Sequence, residues 1–430
     1  MKRVHLAWIV AAVTFVTMLG AAGFRAVPSV FMDPLHAQFG WSHGTIGAAI
    51  SINLVLFGVT SPFAAALMDR FGIRPVVVFA LTMIAAGSGL SVFMTAAWQL
   101  MLLWGVVVGL GTGSMAMAFV ATVTTRWFVA RRGFVSGILT AAGATGQLIF
   151  LPVLSTLTEH HGWKAASVVV AIAAAAVIPL VLLLMRDHPH DVGLRAYGAT
   201  DEEPGPVKVR QTGLASAAIG GLVLGARKRV FWLLAGSFAI CGMTTNGLVG
   251  THFIPAATDH GMPPTTAASL LALVGVFDIA GTIASGWFTD RFDPAVLLVI
   301  YYVGRGVALF ALPSLLSPST KPSTFVFILF YGLDWVATVP PTIAICRKYF
   351  GDRTPVVYGW IFASHQIGAA IAAWSAGFIR DHTHTYNPAF YGAAALCAVA
   401  AALCFAARPT RSGSDTRGAL ATQPPLIDAA

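Results

Sequence analysis

The stretch AAALMDRFGIRP, residues 64–75, places charged residues and a turn directly after a long apolar run. Its centre returns in SGWFTDRFDP, residues 285–294, about half a chain length later. Asp69-Arg70-Phe71 is thereby repeated as Asp290-Arg291-Phe292, and each copy follows the second apolar run of its half. A charged turn repeated at half-chain period indicates that the chain consists of two related halves.

The composition decides the class of protein. The chain has 430 residues, of which 57% are hydrophobic and 10% charged, with a mean hydropathy of +0.77, whereas a soluble domain carries about 25% charged residues. We therefore predict an all-α, polytopic membrane protein. Its 4 cysteines lie in apolar runs without CxxC spacing, which favours buried thiols over disulfides or metal ligands. We expect no metal and no cofactor.

Apolar segments of about 17–25 residues can cross a bilayer as helices. The sequence predicts twelve, called spans 1 to 12, near 5–30, 43–68, 75–95, 98–124, 133–157, 163–185, 229–255, 264–289, 294–312, 324–345, 357–379 and 388–406. The domain prediction follows from the one long interruption. It comprises a six-helix bundle over 1–185, a cytoplasmic linker over 186–228, a second six-helix bundle over 229–407 and a disordered cytoplasmic tail over 408–430.

The basic residues are distributed unequally between the two ends of the predicted bundle. The end with both Asp-Arg-Phe turns, here called the motif end, holds 21 of the 26 Lys and Arg residues if the linker and both termini lie there. The opposite end, here called the distal end, holds Lys164, Lys321 and Arg380. This asymmetry predicts a cytoplasmic motif end, with both termini inside, in an inner membrane. It also accounts for the net charge of +9 without nucleic acid as a partner.

The first turn resembles the signature of the major facilitator superfamily, Gly-x-Leu-x-Asp-Arg-x-Gly-Arg, which lies between spans 2 and 3. Leu67, Asp69, Arg70, Gly72 and Arg74 match it, and an alanine stands in place of the first glycine. In the second copy, Asp290 and Arg291 match and an aspartate replaces the second glycine. The resemblance covers essentially the whole chain. It implies twelve transmembrane helices in two pseudo-symmetric six-helix bundles.

The resemblance also implies a cytoplasmic gate. In the superfamily, the aspartate of the first turn belongs to a charge cluster that latches the outward-open state. Arg126, at the end of span 4, is the candidate partner of Asp69 in this chain. The predicted gate comprises Asp69, Arg70, Gly72, Arg74, Arg126, Asp290 and Arg291.

A narrower resemblance points to the branch of monocarboxylate transporters and oxalate/formate exchangers. It is carried by residues 39–63 and by TRWFVARRGFVSGILTAAGATGQ, residues 125–147. The branch often has an acidic or amide residue in span 8 and an arginine four positions later. Asp278 matches the first of these, and Thr282 stands where the arginine would be, which weakens the implied carboxylate substrate.

Ionisable residues inside the spans cost roughly 2.5–3.5 kcal/mol each on insertion scales and usually face a cavity or a partner. Asp278, Arg305 and Asp334 each lie 11 residues from the motif end of their predicted span, about 16 Å deep at about 1.5 Å per residue. Their common depth predicts one charge cluster, in which Arg305 either makes a structural ion pair or contacts substrate. Since two carboxylates exceed one guanidinium, a carboxylate could carry a proton.

Polar groups elsewhere in the spans are candidates for substrate contact. Arg25 lies in the distal half of span 1 and either snorkels to the interface or anchors an anion; the resembling branch has a basic residue nearby, at a position closer to Ser29. His365 belongs to the residue type best suited to take up and release a proton reversibly, although a buried histidine often only makes hydrogen bonds. The predicted substrate-binding residues are Arg25, Gln147, Asn246, His365 and Gln366.

These observations predict a secondary active transporter, expected as a monomer, that moves a small organic anion with protons. An organic anion exchanger and an efflux transporter of drug-like compounds are the alternatives within transport. A membrane enzyme is disfavoured, because the chain has no GxSxG, HExxH or P-loop and no GxGxxG between a strand and a helix. A sensor that keeps a transporter fold would require a signalling module, and the linker has no recognisable one.

Overall fold

The computed structural model describes residues 5–115, 117–199 and 214–408. The predicted tail from residue 409 onward and the middle of the predicted linker lie outside this description. Among the predicted site residues, the side chains of Arg25, Asp69 and Gln147 also lie outside it.

The described chain is all-helical and confirms the predicted fold class. Ten of its helices are long and apolar enough to cross a membrane, and the broken span 4 and a joined pair account for the remaining spans. The spans run Leu6–Phe39, His43–Phe71, Ile73–Leu90, Ala97–Gly113 with Met117–Trp127, Arg132–Leu184 (spans 5 and 6), Arg229–Asp259, Pro264–Thr289, Pro294–Leu315, Pro322–Asp334 with Val339–Phe350, Thr354–Thr383, and Asn387–Ala406.

Spans 5 and 6 are joined without a loop. Two helices follow one another from Arg132 to Leu184, and only Gly162 between them departs from helical geometry, with φ 80° and ψ 162°. A positive φ is strained for other residues, so a glycine makes this sharp reversal possible. The predicted connection of several residues between these spans is therefore a one-residue kink.

The predicted linker contains ordered structure at both of its described ends. Residues 186–199 fold against the motif end, where Tyr197 N donates to Trp127 O at 2.8 Å and Val129 N donates to Tyr197 O at 2.9 Å. The helix Leu214–Ala226 is too short to span a membrane. It packs on spans 2 and 11, and Trp360 Nε1 donates to Ala218 O at 2.8 Å.

Spans 2 and 11 form the main seam between the first six spans and the last six. Their backbones approach closely where small residues face each other; a Cβ atom on Gly47 would lie 2.5 Å from Ala373 O. Ser51 Oγ donates to Ala370 O at 2.5 Å. Small residues allow this kind of helix contact in membranes, where apolar burial alone does not drive association.

Candidate functional site

The interior site of the second half is organised by a break in span 10. Pro340 and Pro341 have no N–H, so the carbonyl groups four residues earlier, on Val336 and Ala337, lose their helical donors. The helix stops at Asp334 and restarts at Val339. Buried carbonyl and N–H groups at such a break require other partners.

Spans 8, 9 and 10 themselves provide those partners. Val339 N donates to Val336 O at 2.9 Å, and Ser285 Oγ of span 8 donates to Ala337 O at 2.6 Å. Arg305 Nη2 of span 9 donates to Asp334 O at 2.6 Å. The break is therefore held by specific side chains and is a fixed feature of this state.

Arg305 also forms the buried ion pair of the site. It is 1% exposed, and its Nε lies 2.6 Å from Asp334 Oδ2. Its Nη1 donates to Cys241 Sγ at 2.9 Å and to Thr244 Oγ1 at 3.3 Å, both on span 7. One guanidinium thus connects spans 7, 9 and 10 at mid depth.

Asp278 lies on the other side of the break. Its Oδ1 accepts from Val336 N at 3.0 Å and from Thr282 Oγ1, also at 3.0 Å. Among the described side chains, Arg305 forms its ion pair with Asp334. The predicted cluster of three charges is therefore one ion pair, with the Asp278 carboxylate apart from it and bonded to Val336 N. The estimate of depth from the sequence correctly placed the three residues at one level. It could not predict which of them pair, because that depends on where span 10 is broken.

His365 and Gln366 lie on span 11, between span 7 and span 2. His365 Nε2 is 3.5 Å from Thr245 Oγ1, and its ring stacks on Phe362 at 5.9 Å between centroids. Gln366 packs on the Gly58 backbone of span 2. Within the described residues, His365 Nδ1, Gln366 Oε1 and Asp334 Oδ1 are buried and have no protein partner.

Asn246 lies in an irregular stretch of span 7. Met243–Val249 is a π-helix, a wider turn that is common at functional sites. Asn246 is half-buried, and its carbonyl accepts from Thr251 Oγ1 at 2.8 Å. Asn246 follows Thr245, which lies beside His365. Gly250, one turn further on, lies near Trp335, since a Cβ atom there would be 3.7 Å from the Trp335 ring.

A second opening lies in the first half, away from the ion pair. It has a cavity volume of only about 20 Å³ and lies among spans 1, 2, 4 and 5; among its described lining residues, Thr112 has the one polar side chain. The backbone of Arg25 follows directly after the lining residue Phe24. The lining residues are Met18, Ala21, Ala22, Phe24, Phe57, Thr112, Met115 and Gly143.

The segment that follows span 6 packs on the first Asp-Arg-Phe turn and makes hydrogen bonds with it. Arg74 N donates to Asp187 Oδ1 at 2.9 Å. A Cβ atom on Gly72, which has φ 91°, would lie 2.5 Å from Asp187 Oδ2. Arg126 donates to the carbonyl groups of Asp187 and Met68 at 3.5 and 3.4 Å and therefore lies beside the turn.

The second turn has different contacts. Asp293 Oδ1 accepts from Ala295 N at 2.9 Å and caps span 9, while its Oδ2 pairs with Arg408 Nε at 2.8 Å. Arg291 lies over the Trp287 ring, 3.9 Å from its centroid, and donates to Trp287 O at 3.1 Å. The repeated sequence therefore makes a clasped turn in one copy and a helix cap in the other.

One group of described residues has the composition of a metal site. His188, His190 and Asp191 place possible ligand atoms within 4.8 Å of one another. Asp191 Oδ2 also accepts from His188 N at 3.0 Å, which is the ordinary capping of a short turn. Burial and the nearby Arg126 cation lower the pKa of His188. These residues could hold a metal ion, but the contacts are explained without one.

Sequence reasoning missed Ser285, which donates to a carbonyl group of the break in span 10, and also Cys241 and Thr244, which accept from Arg305. The signal was present in the Pro340-Pro341 pair. Two consecutive prolines inside a membrane span free two carbonyl groups, and a hydroxyl or guanidinium donor must face them at the same depth. The cysteine had been expected only as a buried small side chain, which it also is.

Comparison with known proteins identifies relatives over nearly the full chain. The family model described as Major Facilitator Superfamily matches residues 11–373. Uncharacterized MFS-type transporter YcxA of Bacillus subtilis (strain 168) is 25% identical over 387 residues, which cover 89% of this chain and 90% of that protein. Monocarboxylate transporter 13 of Bos taurus is 26% identical over 395 residues, with coverages of 88% and 85%.

Solved structures show the same fold at lower identity. A crystal structure of a D-xylose-proton symporter superposes with a TM-score of 0.73 at 14% identity, covering 94% of this chain and 98% of that chain. An inward-open structure of the xylose transporter XylE from E. coli gives a TM-score of 0.69 at 15% identity, with coverages of 95% and 98%. At these identities the likeness supports the arrangement of helices alone.

Proposed function

Since the chain belongs to the Major Facilitator Superfamily and is a multi-pass membrane transporter, we propose that it moves a small organic anion, in particular a monocarboxylate, together with protons. The motif end faces the cytoplasm of a cell with an inner membrane. The two six-helix bundles rock around a site at the middle of the membrane. The relatives named as monocarboxylate transporters support the substrate class.

The observation that carries the coupling to protons is the pair of carboxylates at the break in span 10. Asp334 is paired with the buried cation Arg305 and Asp278 lies at the same break, so the three residues carry a net charge of −1 when all are ionised. Asp334 Oδ1 is buried and has no protein partner within the described residues. An unpaired charge in a low-dielectric interior costs several kcal/mol or more. Binding of one proton neutralises the group and favours closure around substrate.

The anion is proposed to enter beside span 1. Arg25 is the proposed cationic anchor, since it directly follows Phe24, which lines an opening whose described lining residues are almost entirely apolar. Asn246, His365 and Gln366 supply polar contacts from the second half. A neutralised cavity can then close from either side, which is the energetic condition for coupled transport.

The experiment that tests this function is uptake into proteoliposomes. We expect labelled acetate, pyruvate or lactate to accumulate when the outside is acidic, and a protonophore to abolish the accumulation. Asp278→Asn keeps an oxygen that can accept from Val336 N and removes the titrating group, so we expect exchange to persist while accumulation is lost. Glu159→Gln, at an exposed carboxylate that accepts from Thr265 N at 3.1 Å, is the matched control and should accumulate normally.

Other outcomes distinguish the alternatives. Counterflow that is equally fast with and without a pH gradient would favour an organic anion exchanger. A thermal-shift screen of the purified protein against organic acids at two pH values tests the substrate class separately, since stabilisation grows with occupancy. Stabilisation by neutral or cationic compounds alone would contradict the anion assignment and favour efflux of drug-like compounds.

A further inference from the structure

A histidine at the distal end lies between carboxylates from both groups of six spans. His43 begins span 2 and is 6% exposed. Its Nδ1 lies 3.0 Å from Asp381 Oδ1, and its Nε2 lies 3.5 Å from Asp33 Oδ1. Asp33 belongs to span 1 and Asp381 to span 11, 338 residues from His43 along the chain. One imidazole therefore bridges the seam where the two groups meet.

The same carboxylate holds the beginning of span 2. Backbone N–H groups of His43 and Gly44 donate to Asp381 Oδ1 and Oδ2 at 2.9 and 2.7 Å. The first N–H groups of a helix have no intrahelical partner, and a carboxylate is favoured there by the helix dipole. A Cβ atom on Gly377 would lie 2.5 Å from His43 O, so span 11 can approach span 2 this closely because it has a glycine there.

Only the protonated imidazole suits this geometry. A neutral imidazole has one N–H donor and one acceptor nitrogen, whereas an imidazolium has two donors. With both ring nitrogens facing carboxylate oxygens, the neutral form sets a lone pair against one carboxylate, and that contact is repulsive. Protonation replaces this repulsion with a second charge-assisted hydrogen bond.

The charged groups near His43 have other partners and do not compete for Asp33 and Asp381. Arg380 of span 11 is engaged by Asp259 of span 7 through bonds of 2.7 and 2.9 Å. The His36 ring lies tilted beside that of His43, with 4.5 Å between centroids, and its Nδ1 is 2.7 Å from Trp41 O. The groups that face His43 from the packed elements are Asp33 and His36 of span 1, His252 and Asp259 of span 7, Arg380 and Asp381 of span 11, and Tyr386 before span 12.

We propose that His43 is a proton-binding site that latches the distal end of the transporter closed. A proton from the distal solution, which reaches the site past the half-exposed Asp33, binds Nε2 and joins spans 1, 2 and 11. Release of that proton leaves a neutral ring, which loses its bond to Asp33 and turns the charge-assisted contact with Asp381 across the seam into an ordinary hydrogen bond, so that the distal end can open. The proposal rests on the alternating access of the proposed function and is independent of the substrate and of the carboxylates in span 10.

Distances between spin labels across the distal end test the latch. His161→Cys, between spans 5 and 6, and Thr320→Cys, between spans 9 and 10, are exposed positions on opposite sides of the seam, while the four native cysteines are buried. In lipid nanodiscs we expect the ratio of short to long distances to rise roughly tenfold from about pH 8 to about pH 5.5, as one charge-assisted hydrogen bond and the histidine range imply.

Three variants assign this response to His43. His43→Gln should lose the pH dependence, and Asp33→Asn should reduce it while the Asp381 contact keeps the seam together. His384→Asn is the matched control, since His384 is an exposed distal histidine with φ 57°, a conformation that asparagine tolerates; it should respond as the unchanged protein does.

The possible failures are distinguishable. A pH response that survives in His43→Gln, or its absence in the unchanged protein while substrate still alters the distances, would overturn the latch and leave alternating access standing. If neither pH nor substrate alters the distances, alternating access itself fails. If His43→Gln does not fold, the pH response of Asp33→Asn decides the question. A contact that does not depend on a proton at His43 predicts the same pH response in Asp33→Asn as in the unchanged protein.

Discussion

The first six spans and the last six hold their charged contacts at different depths. In the first six, Asp187 and Arg126 hold the turn around Gly72 at the motif end, and Asp33 faces His43 at the distal end. In the last six, the most buried ion pair is that of Arg305 with Asp334 at mid depth, and in the corresponding turn Asp293 caps a helix. A sequence repeat therefore preserved the turn without preserving its contacts.

The difference follows from a few residues. The first turn has a glycine at 72, which leaves room for the Asp187 carboxylate, and the second has Asp293 at the matching position, which occupies that room with its own carboxylate. The prolines of span 10 create a break that requires buried donors. Each group of spans thus has one constrained point, at the motif end in the first and at mid depth in the second.

Arg305→Met should have the largest effect on this comparison. It leaves Asp334 as an uncompensated buried charge and removes the donor to its carbonyl, and breaking one side of a buried pair costs about 3–5 kcal/mol. We expect a large fall in the thermal unfolding temperature of the detergent-solubilised protein, with little folded protein recovered. Arg291→Met, at the second turn, should change the unfolding temperature little because exposed contacts are worth at most about 1 kcal/mol.

A double variant separates the charge from the packing. Asp334→Asn combined with Arg305→Met removes both charges, and we expect it to recover part of the stability lost in the single variant. If Arg305→Met alone were as stable as the unchanged protein, the second group of spans would not depend on its mid-depth contact.

Gly72→Asp should have the next largest effect, because it places the residue of the second turn in the first. The new side chain would meet Asp187 and force a positive φ on a residue with a Cβ atom, at a cost of roughly 1–3 kcal/mol. The reciprocal Asp293→Gly removes a cap that glycine largely replaces, and should cost less than about 1 kcal/mol. Thermal unfolding of the two variants measures the asymmetry directly, and equal losses would show that the two turns are equivalent.

The spans could be predicted from sequence because crossing a bilayer requires a continuous apolar run. Span 1 still extends to Phe39 rather than to residue 30, since Pro28 and Pro34 lie inside the helix without ending it. Depth along a span was also predictable, which brought the three mid-depth charges to one break. Their pairing was not predictable, because it depends on rotation of the helices and on where span 10 stops.

The distal latch shows the same limit. His43 follows an ordinary N-cap serine in sequence, and nothing local distinguishes it from any polar residue at a helix start. Its partner Asp381 is 338 residues away, so the pair exists only through the packing of spans 2 and 11. The assignments of Arg25, Gln147, Asn246, His365 and Gln366 to substrate stay predictions.

Asp69→Asn is expected to affect transport kinetics and not stability. If the first turn works as a gate in the alternate state, loss of its carboxylate should lower the maximal uptake rate by roughly fivefold or more, the size of ordinary conformational coupling. The substrate concentration for half-maximal uptake should stay the same. Asp290→Asn, the matched change in the second turn, should lower the rate less, and an equal or larger fall would assign the gate to the second turn instead.

His188→Gln should give the smallest effect, and only on the pH dependence of stability. Burial and the Arg126 cation lower the pKa of His188 in the folded protein, so the folded state takes up this proton less readily than the unfolded chain does. Its contribution to stability is present above the ordinary histidine pKa near 6.5 and is lost as the pH falls through the lower folded value. The unfolding temperature should therefore fall less between about pH 7.5 and about pH 5 in the variant than in the unchanged protein. His190→Gln, two residues further on and more exposed (43% against 29%), is the control. If the unfolding temperature of His188→Gln fell as steeply with pH as that of the unchanged protein, burial and Arg126 would not disfavour the proton on His188.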